Sequence, residues 1–321
     1  MSAEREGGPW STVLVLLTIL AIANWWFAPF ERDDEGEADF ASAGDDPMVR
    51  RTQGWAPAGR ARITPGIQTI TEGGGQCTTN FVFTDRAHRV YLGQAAHCAA
   101  LAEGTHDCRT PTRPLGSRIV FTTGASPYDL GHRIAEGRLA YSSWRSMRQR
   151  GVRRGPLCSY NDFALVRVPR SARGLVNPSV PFWGGPTGLP VDGLSIGENV
   201  FGFGRSSLRA EESSYSRQAA VAFSDSSTAR GWAHTISSRS PGLPGDSGSA
   251  FVDEDGRAVG TLSTLSIGVF FVSNGLGDLP RELRYARRHS GIAGLRLELG
   301  TVPFHRIRAR AWAAGKARPQ P

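Results

Sequence analysis

From Ile63 onward the apolar residues fall into short runs separated by Gly, Pro or Asp-Gly, among them Phe81-Val82-Phe83, Val90-Tyr91-Leu92, Arg118-Ile119-Val120-Phe121, Phe163 to Val168 and Val200 to Phe203. Runs of this length with this punctuation predict many short strands and an all-β chain. Glu254-Asp255-Gly256 lies between Ala250-Phe251-Val252 and Ala258-Val259-Gly260, a hairpin signal. One late segment carries helical punctuation instead. Asp278 stands as N-cap, Pro280 in the first turn, Arg287 and Arg288 in the last and Gly291 beyond the end, which predicts a helix from about Leu279 to His289. No internal repeat interrupts this pattern.

The amino-terminal pattern differs. Gly7 to Phe30 contains no charged residue, and these 24 residues would reach about 36 Å as a helix, enough to cross a bilayer. Trp10 near one end and Trp25, Trp26 and Phe27 near the other suit the headgroup level. The segment is expected to be a transmembrane anchor. A cleaved signal peptide is the alternative, because Ala21-Ile22-Ala23 offers a small-x-small site. Either reading puts the body outside the cytoplasm, since Glu31 to Asp46 is too acidic for a cytoplasmic flank. Residues 31–62 hold few large apolar side chains and are expected to form an acidic flexible linker.

Composition narrows the choice further. With 39 Gly and 20 Pro in 321 residues, the composition argues against a helical bundle. Four cysteines without a CxxC pair are too few for a disulfide-built miniprotein and do not make a structural zinc site. The first 46 residues hold 2 basic and 10 acidic groups, which leaves 35 basic and 19 acidic, a net +16, on the remainder. That charge could attract polyanions. The basic groups are nonetheless almost all arginines spread singly, with Lys316 the only lysine, so no nucleic-acid partner is expected.

Three segments carry chemistry, in the order "GQAAHC", "YNDFALVRV" and "GDSGSA". A serine hydroxyl is a weak nucleophile at neutral pH and needs a base within hydrogen-bond reach and an anion to hold that base in one tautomer. His97, Asp162 and Ser247 supply such a set. Gly245 and Gly248 flank the serine, and without side chains there the amides of Gly245 and Ser247 can converge on a developing oxyanion. The other six histidines show no metal-ligand spacing, so neither a metal nor a cofactor is expected.

These segments resemble the chymotrypsin-fold (trypsin-like) serine proteases, and within them the bacterial α-lytic-protease-like branch. "GQAAHC" is similar to the family's histidine segment, "NDFALVRV" to its aspartate strand, and "GDSGSA" to its nucleophile turn, with Ser249 in place of the second glycine and Ala250 in place of proline. "PGIQT" before Cys77, "GFGRS" at Gly202 to Ser206 and "VGTLS" ending at Ser263 also match. The resemblance runs from about Ile63 to Leu299. It implies two packed antiparallel six-stranded β-barrels with a short C-terminal helix, preceded here by the transmembrane segment. The expected division is 1–30 anchor or signal, 31–62 linker, 63–300 protease domain with barrels at about 63–180 and 181–300, and 301–321 a basic tail. It also implies that Ser263 hydrogen-bonds Asp162.

Four cysteines allow three pairings, and the resemblance selects Cys77 with Cys98, leaving Cys108 with Cys158. Disulfides imply an oxidising compartment. Asp246, beside the nucleophile, would need a cation if buried. The family offers two: a new amino terminus, for which Arg62-Ile63 is the candidate cut, or an internal arginine, which the 14-residue step from Ile63 to Cys77 favours without naming it.

The resemblance places a substrate pocket at Pro241, Thr264, Leu265 and Gly275. None of these is acidic, which disfavours cleavage after Lys or Arg, and Leu265 should narrow the entrance. The expected activity is an extracytoplasmic serine endopeptidase acting on polypeptides after small to medium apolar residues, as a monomer. The alternative is a peptide-binding or adhesion module of the same fold without turnover.

Overall fold

The computed structural model describes residues 46–101, 107–209, 216–225, 229–238, 240–267 and 272–306. The apolar segment 7–30, the acidic stretch before Asp46 and the tail beyond Arg306 lie outside the described residues. Among the described residues no helix is long and apolar enough to cross a membrane.

Among the described residues, fifteen strands form two sheets. β1 (Val49–Arg50), β2 (Gln68–Thr71), β3 (Gln76–Thr78), β4 (Val82–Thr84), β5 (Val90–Gln94), β6 (Arg118–Thr123), β7 (His132–Ser142), β8 (Ala164–Arg167) and β15 (Arg296–Glu298) make a nine-stranded sheet in the order β1-β15-β4-β5-β8-β7-β6-β2-β3. β9 (Asn199–Phe203), β10 (Arg217–Asp225), β11 (Ala233–Ser238), β12 (Ala250–Val252), β13 (Ala258–Ile267) and β14 (Val272–Asp278) close into a barrel. Every ladder is antiparallel except β1 on β15.

The short apolar runs become strands because their side chains can be covered on both faces. β4 and β5 are buried at every position. Phe81, Phe83, Phe121 and Phe163 have no exposed surface, and the rings of Phe83 and Phe163 meet edge to face at 5.5 Å. Each such ring contributes roughly 1.5–3 kcal/mol by leaving water. The barrel has its own smaller core, built on Val200, Ile236, Phe251, Leu262 and Leu276. The hairpin at Glu254-Asp255-Gly256 forms between β12 and β13, with Gly256 at φ +75° and the Asp253 carboxylate accepting the amides of Asp255 and Arg257. The late helix spans Leu279–His289, and Asp278 Oδ1 caps it by accepting the Arg281 amide at 2.9 Å.

Four expectations change. In place of two six-stranded barrels there is one closed barrel beside a nine-stranded sheet that no ladder closes among the described residues. The linker reading of 31–62 does not hold from residue 46, because β1 adds to β15, Val49 is buried, and Ala56 donates to the Val176 carbonyl. The second barrel does not run to residue 300, since β15 returns to the first sheet and pairs with β4, burying Leu297. The tail does not begin at Thr301, because Val302 and His305 exchange backbone hydrogen bonds with Gly185 and Trp183. Two short helices, Ser143–Gln149 and Pro156–Tyr160, were not visible in the strand pattern, being too short to show a helical period.

Two disulfides tie the first sheet, Cys77–Cys98 across 21 residues and Cys108–Cys158 across 50. On the chain-entropy account these loops stabilise by about 3 and 4 kcal/mol, model-dependent in size but ordered by loop length. Replacing Cys108 and Cys158 by serine is therefore expected to lower unfolding stability in urea by about 4 kcal/mol, more than the same change at Cys77 and Cys98.

Candidate active site

β5 runs into a 3₁₀ turn, Ala96–Ala99, that carries His97. Ala95, Ala96 and Ala99 are fully buried, so only small side chains let this turn press against the sheet. Cys98, the next residue, is bonded to Cys77 on β3, which pins the turn. The sulfurs of Cys77 and Cys98 and a ring nitrogen of His97 lie within 4.8 Å of one another. As a disulfide the two cysteines have no thiolate to offer a metal.

Asp162 precedes β8 and is bracketed by Ser143. The Ser143 hydroxyl donates to the Asn161 carbonyl at 2.7 Å and accepts the Phe163 amide at 3.1 Å, and the Ser143 amide donates to the Phe163 carbonyl at 2.8 Å. The carboxylate is then filled from several sides. Its Oδ1 accepts the His97 amide at 2.9 Å, and its Oδ2 lies 2.6 Å from His97 Nδ1 and accepts the Ser263 hydroxyl at 2.6 Å. Ser263 sits where the β13–β14 register shifts between Leu262 and Thr264, a bulge that re-aims one side chain out of the ladder. The side chain of Asp162 is 4% exposed and that of His97 is 22%. Burial works to lower the imidazole pKa, but the Asp162 charge and hydrogen bond overcome it and hold it above the ordinary 6.5. Burial likewise works to raise the Asp162 pKa, and His97 together with the Ser263 hydrogen bond brings it below 3.8.

Ser247 lies in the turn before β12. Thr78 donates its amide to the Ser247 carbonyl at 2.9 Å, and Gly248 donates to the Leu262 carbonyl at 2.6 Å. A Cβ on Gly248, at φ +94°, would stand 2.2 Å from the Thr78 carbonyl and 2.9 Å from the Ala95 nitrogen, so only glycine lets this turn approach the strand end that carries His97. No hydrogen bond joins Ser247 Oγ to the imidazole in this arrangement of the described residues, a looseness common to unliganded nucleophile and base pairs. The Gly245 carbonyl accepts from Gln76 Nε2 at 3.0 Å and from Thr78 Oγ1 at 2.8 Å, which fixes that peptide plane. No hydrogen bond of the described fold uses the Gly245 or Ser247 amides.

Asp246 is fully buried, and its cation is Arg209. Arg209 Nε and Nη2 reach Asp246 Oδ2 at 3.0 and 2.6 Å, Nη2 also donates to the Pro241 carbonyl, and Nη1 to Ser240 Oγ. The Arg209 side chain is 7% exposed. Ile63 is elsewhere, buried, with its amide on the Leu175 carbonyl. Of the residues expected to line a pocket, Pro241 is half-buried, Thr264 is exposed, and Leu265 and Gly275 are half-buried. A Cβ on Gly275 would stand 2.4 Å from Thr264 Oγ1. Asn274 joins the two stretches: its Oδ1 accepts the Gly242 amide at 2.8 Å, and its Nδ2 donates to the carbonyls of Gly242 and Thr264 at 3.2 and 3.1 Å.

Sequence reasoning did not find Arg209, Ser143 or Gln76. Arg209 lies 37 residues before Asp246 and is one arginine among many, so no local signal marks it.

No protein-family profile matches the chain, and no curated protein matches it in sequence. Solved structures are similar in outline. Thermobifida fusca protease A aligns at 16% identity with a TM-score of 0.47, covering 74% of this chain and 99% of its own. Nocardiopsis protease aligns at 18% and 0.43, covering 74% and 98%. Cellulomonas bogoriensis chymotrypsin aligns at 16% and 0.42, covering 73% and 97%.

Removing one partner of the Arg209 and Asp246 pair leaves a buried charge alone. Arg209→Met is expected to cost about 3–5 kcal/mol of unfolding stability in urea, and Arg209→Met with Asp246→Asn to recover a large part of it. Additive losses in the double variant would sink this account.

Proposed function

We propose that the protein is a serine endopeptidase. The observation that carries this reading is the hydrogen-bond chain from Ser263 through Asp162 to His97, set beside a turn that presents Ser247 between two left-handed glycines. Ser247 Oγ attacks the substrate carbonyl carbon while its proton passes to His97 Nε2. Asp162 stabilises the imidazolium at Nδ1, and the unused amides of Gly245 and Ser247 take the oxyanion. His97 then gives the proton to the leaving amine. The acyl group on Ser247 is released by water, which His97 deprotonates in turn. No step needs a metal or cofactor. The polypeptide meets this machinery outside the cytoplasm, a placement supported by the two disulfides. The segment 7–30 would tether the protein to the membrane.

A fluorophosphonate probe should label Ser247 in the full-length protein, in the membrane fraction of cells. Ser247→Ala abolishes the label. An unlabelled wild type that binds peptides without cleaving them would support the non-catalytic module instead. Because only neutral His97 can accept the proton, kcat/KM should fall on the acid side with a midpoint above 6.5, the direction in which Asp162 moves the imidazole. Asp162→Asn is expected to lower kcat by about 10⁴-fold.

The expected preference for small to medium apolar residues gains a physical cause in Asn274. Its amide spans the gap between Gly242 and Thr264, and on the pocket assignment it would take the space of a larger acyl-side residue. A peptide library should therefore favour alanine-sized residues, and Asn274→Ala should shift the preference towards larger apolar ones by about tenfold. A profile dominated by Arg or Lys would overturn the pocket assignment.

A further inference from the structure

At the main chain of Asp162 stands a second carboxyl group that the mechanism above does not use. Glu282, in the first turn of the helix Leu279–His289, has no exposed surface. Its Oε1 accepts the Asp162 amide at 3.2 Å, and the Thr261 side chain on β13 lies beside it. On β14, a Cβ at Gly277 would stand 2.3 Å from Oε1, so the strand leaves room for this carboxyl only as glycine. Oε2 is buried without a hydrogen-bond partner. The titratable groups facing Glu282 are Asp162 before β8, Asp278 at the start of its own helix and Tyr141 on β7. No cation pairs with it among the described residues. An ionised carboxylate here would be a buried anion without a counter-charge, next to two others. The neutral acid is the form this site accommodates.

We infer that Glu282 is a positioning residue of the Asp162 and His97 pair: a neutral carboxylic acid that ties the Asp162 main chain to the late helix and leaves Asp162 as the single negative charge against the imidazole. The catalytic consequence rests on the protease reading, while the structural consequence does not. Burial pushes the Glu282 pKa well above its ordinary 4.5, helped by Asp162 and Asp278 and opposed by the neighbouring Thr261 side chain and the Asp162 amide. The unfolded chain ionises near 4.5 and the folded protein does not, so this group withdraws stability as pH rises above that value.

The test compares full-length wild type with Glu282→Gln, which keeps the acceptor and the neutrality, and Glu282→Leu, which keeps only the volume. The low-field proton resonance of His97 Nδ1 reports the pair without needing turnover. In Glu282→Gln it should titrate within about half a pH unit of wild type. In Glu282→Leu it should weaken, with kcat about tenfold below that of Glu282→Gln and KM little changed. Urea unfolding should show Glu282→Gln gaining on wild type as pH rises from 4.5 to 8. A His97 midpoint that drops by a full unit or more in Glu282→Gln would show that the wild-type carboxyl is ionised and overturn the inference. So would Glu282→Leu matching wild type in both resonance and kcat, or a stability difference that does not change with pH. If no variant cleaves peptide or takes the fluorophosphonate while the resonance and unfolding behave as expected, the protease reading fails and the placement of Glu282 stands.

Discussion

The arrangement turns on one buried negative charge. Asp162 is almost sealed from water, and an anion in that position is tolerable only where donors replace the lost solvent. The donors come from separate parts of the chain: the amide and ring of His97 from the turn after β5, and the hydroxyl of Ser263 from the barrel. Moving the barrel away from the nine-stranded sheet would strip one of these hydrogen bonds. The carboxylate therefore acts as a joint between the two sheets as well as the group that orients the imidazole. It holds the ring with Nδ1 facing inward, which leaves Nε2 off the carboxylate.

A second buried carboxylate, Asp246, follows the same rule with a different solution. Arg209 supplies a full counter-charge, and the amides of Ser206 and Leu243 supply two more donors to the carboxylate. The arginine also binds the Pro241 carbonyl, so one side chain connects the Ser247 turn to the stretch leading into it. Because the cation is internal, the turn keeps its shape while Ile63 remains buried within an unbroken chain. No new amino terminus is required to complete this pair.

Close backbone approach is the remaining constraint. Gly248 meets the Thr78 carbonyl and the Ala95 nitrogen, and Gly245 sits against the Gln76 side chain, which also holds the Ser207 amide and the Arg205 carbonyl. β3 thus touches the Ser247 turn directly while its Cys77 holds the histidine turn. The three chemical groups are separated widely along the chain. Their relative placement is carried by main-chain contacts that tolerate no added side chain.

Local features were legible in the sequence because local physics decides them. The hairpin at Gly256 and the capped helix from Leu279 follow from turn chemistry, capping and the spacing of apolar residues, which need no knowledge of distant neighbours. His97, Asp162 and Ser247 could be singled out because base, anion and hydroxyl stand in three recognisable segments in that order, with glycines flanking the serine. The sequence did not disclose that β15 returns to β4, that residues 46–62 pack on the body, or that the first sheet has nine strands. Pairing of strands more than 200 residues apart depends on which edges remain uncovered after the rest has folded. Arg209, Ser143, Gln76 and Glu282 belong to the same class. Each is an ordinary polar residue in sequence, and its importance comes from burial against a charge or carbonyl supplied by another segment, a condition that only the assembled tertiary structure creates.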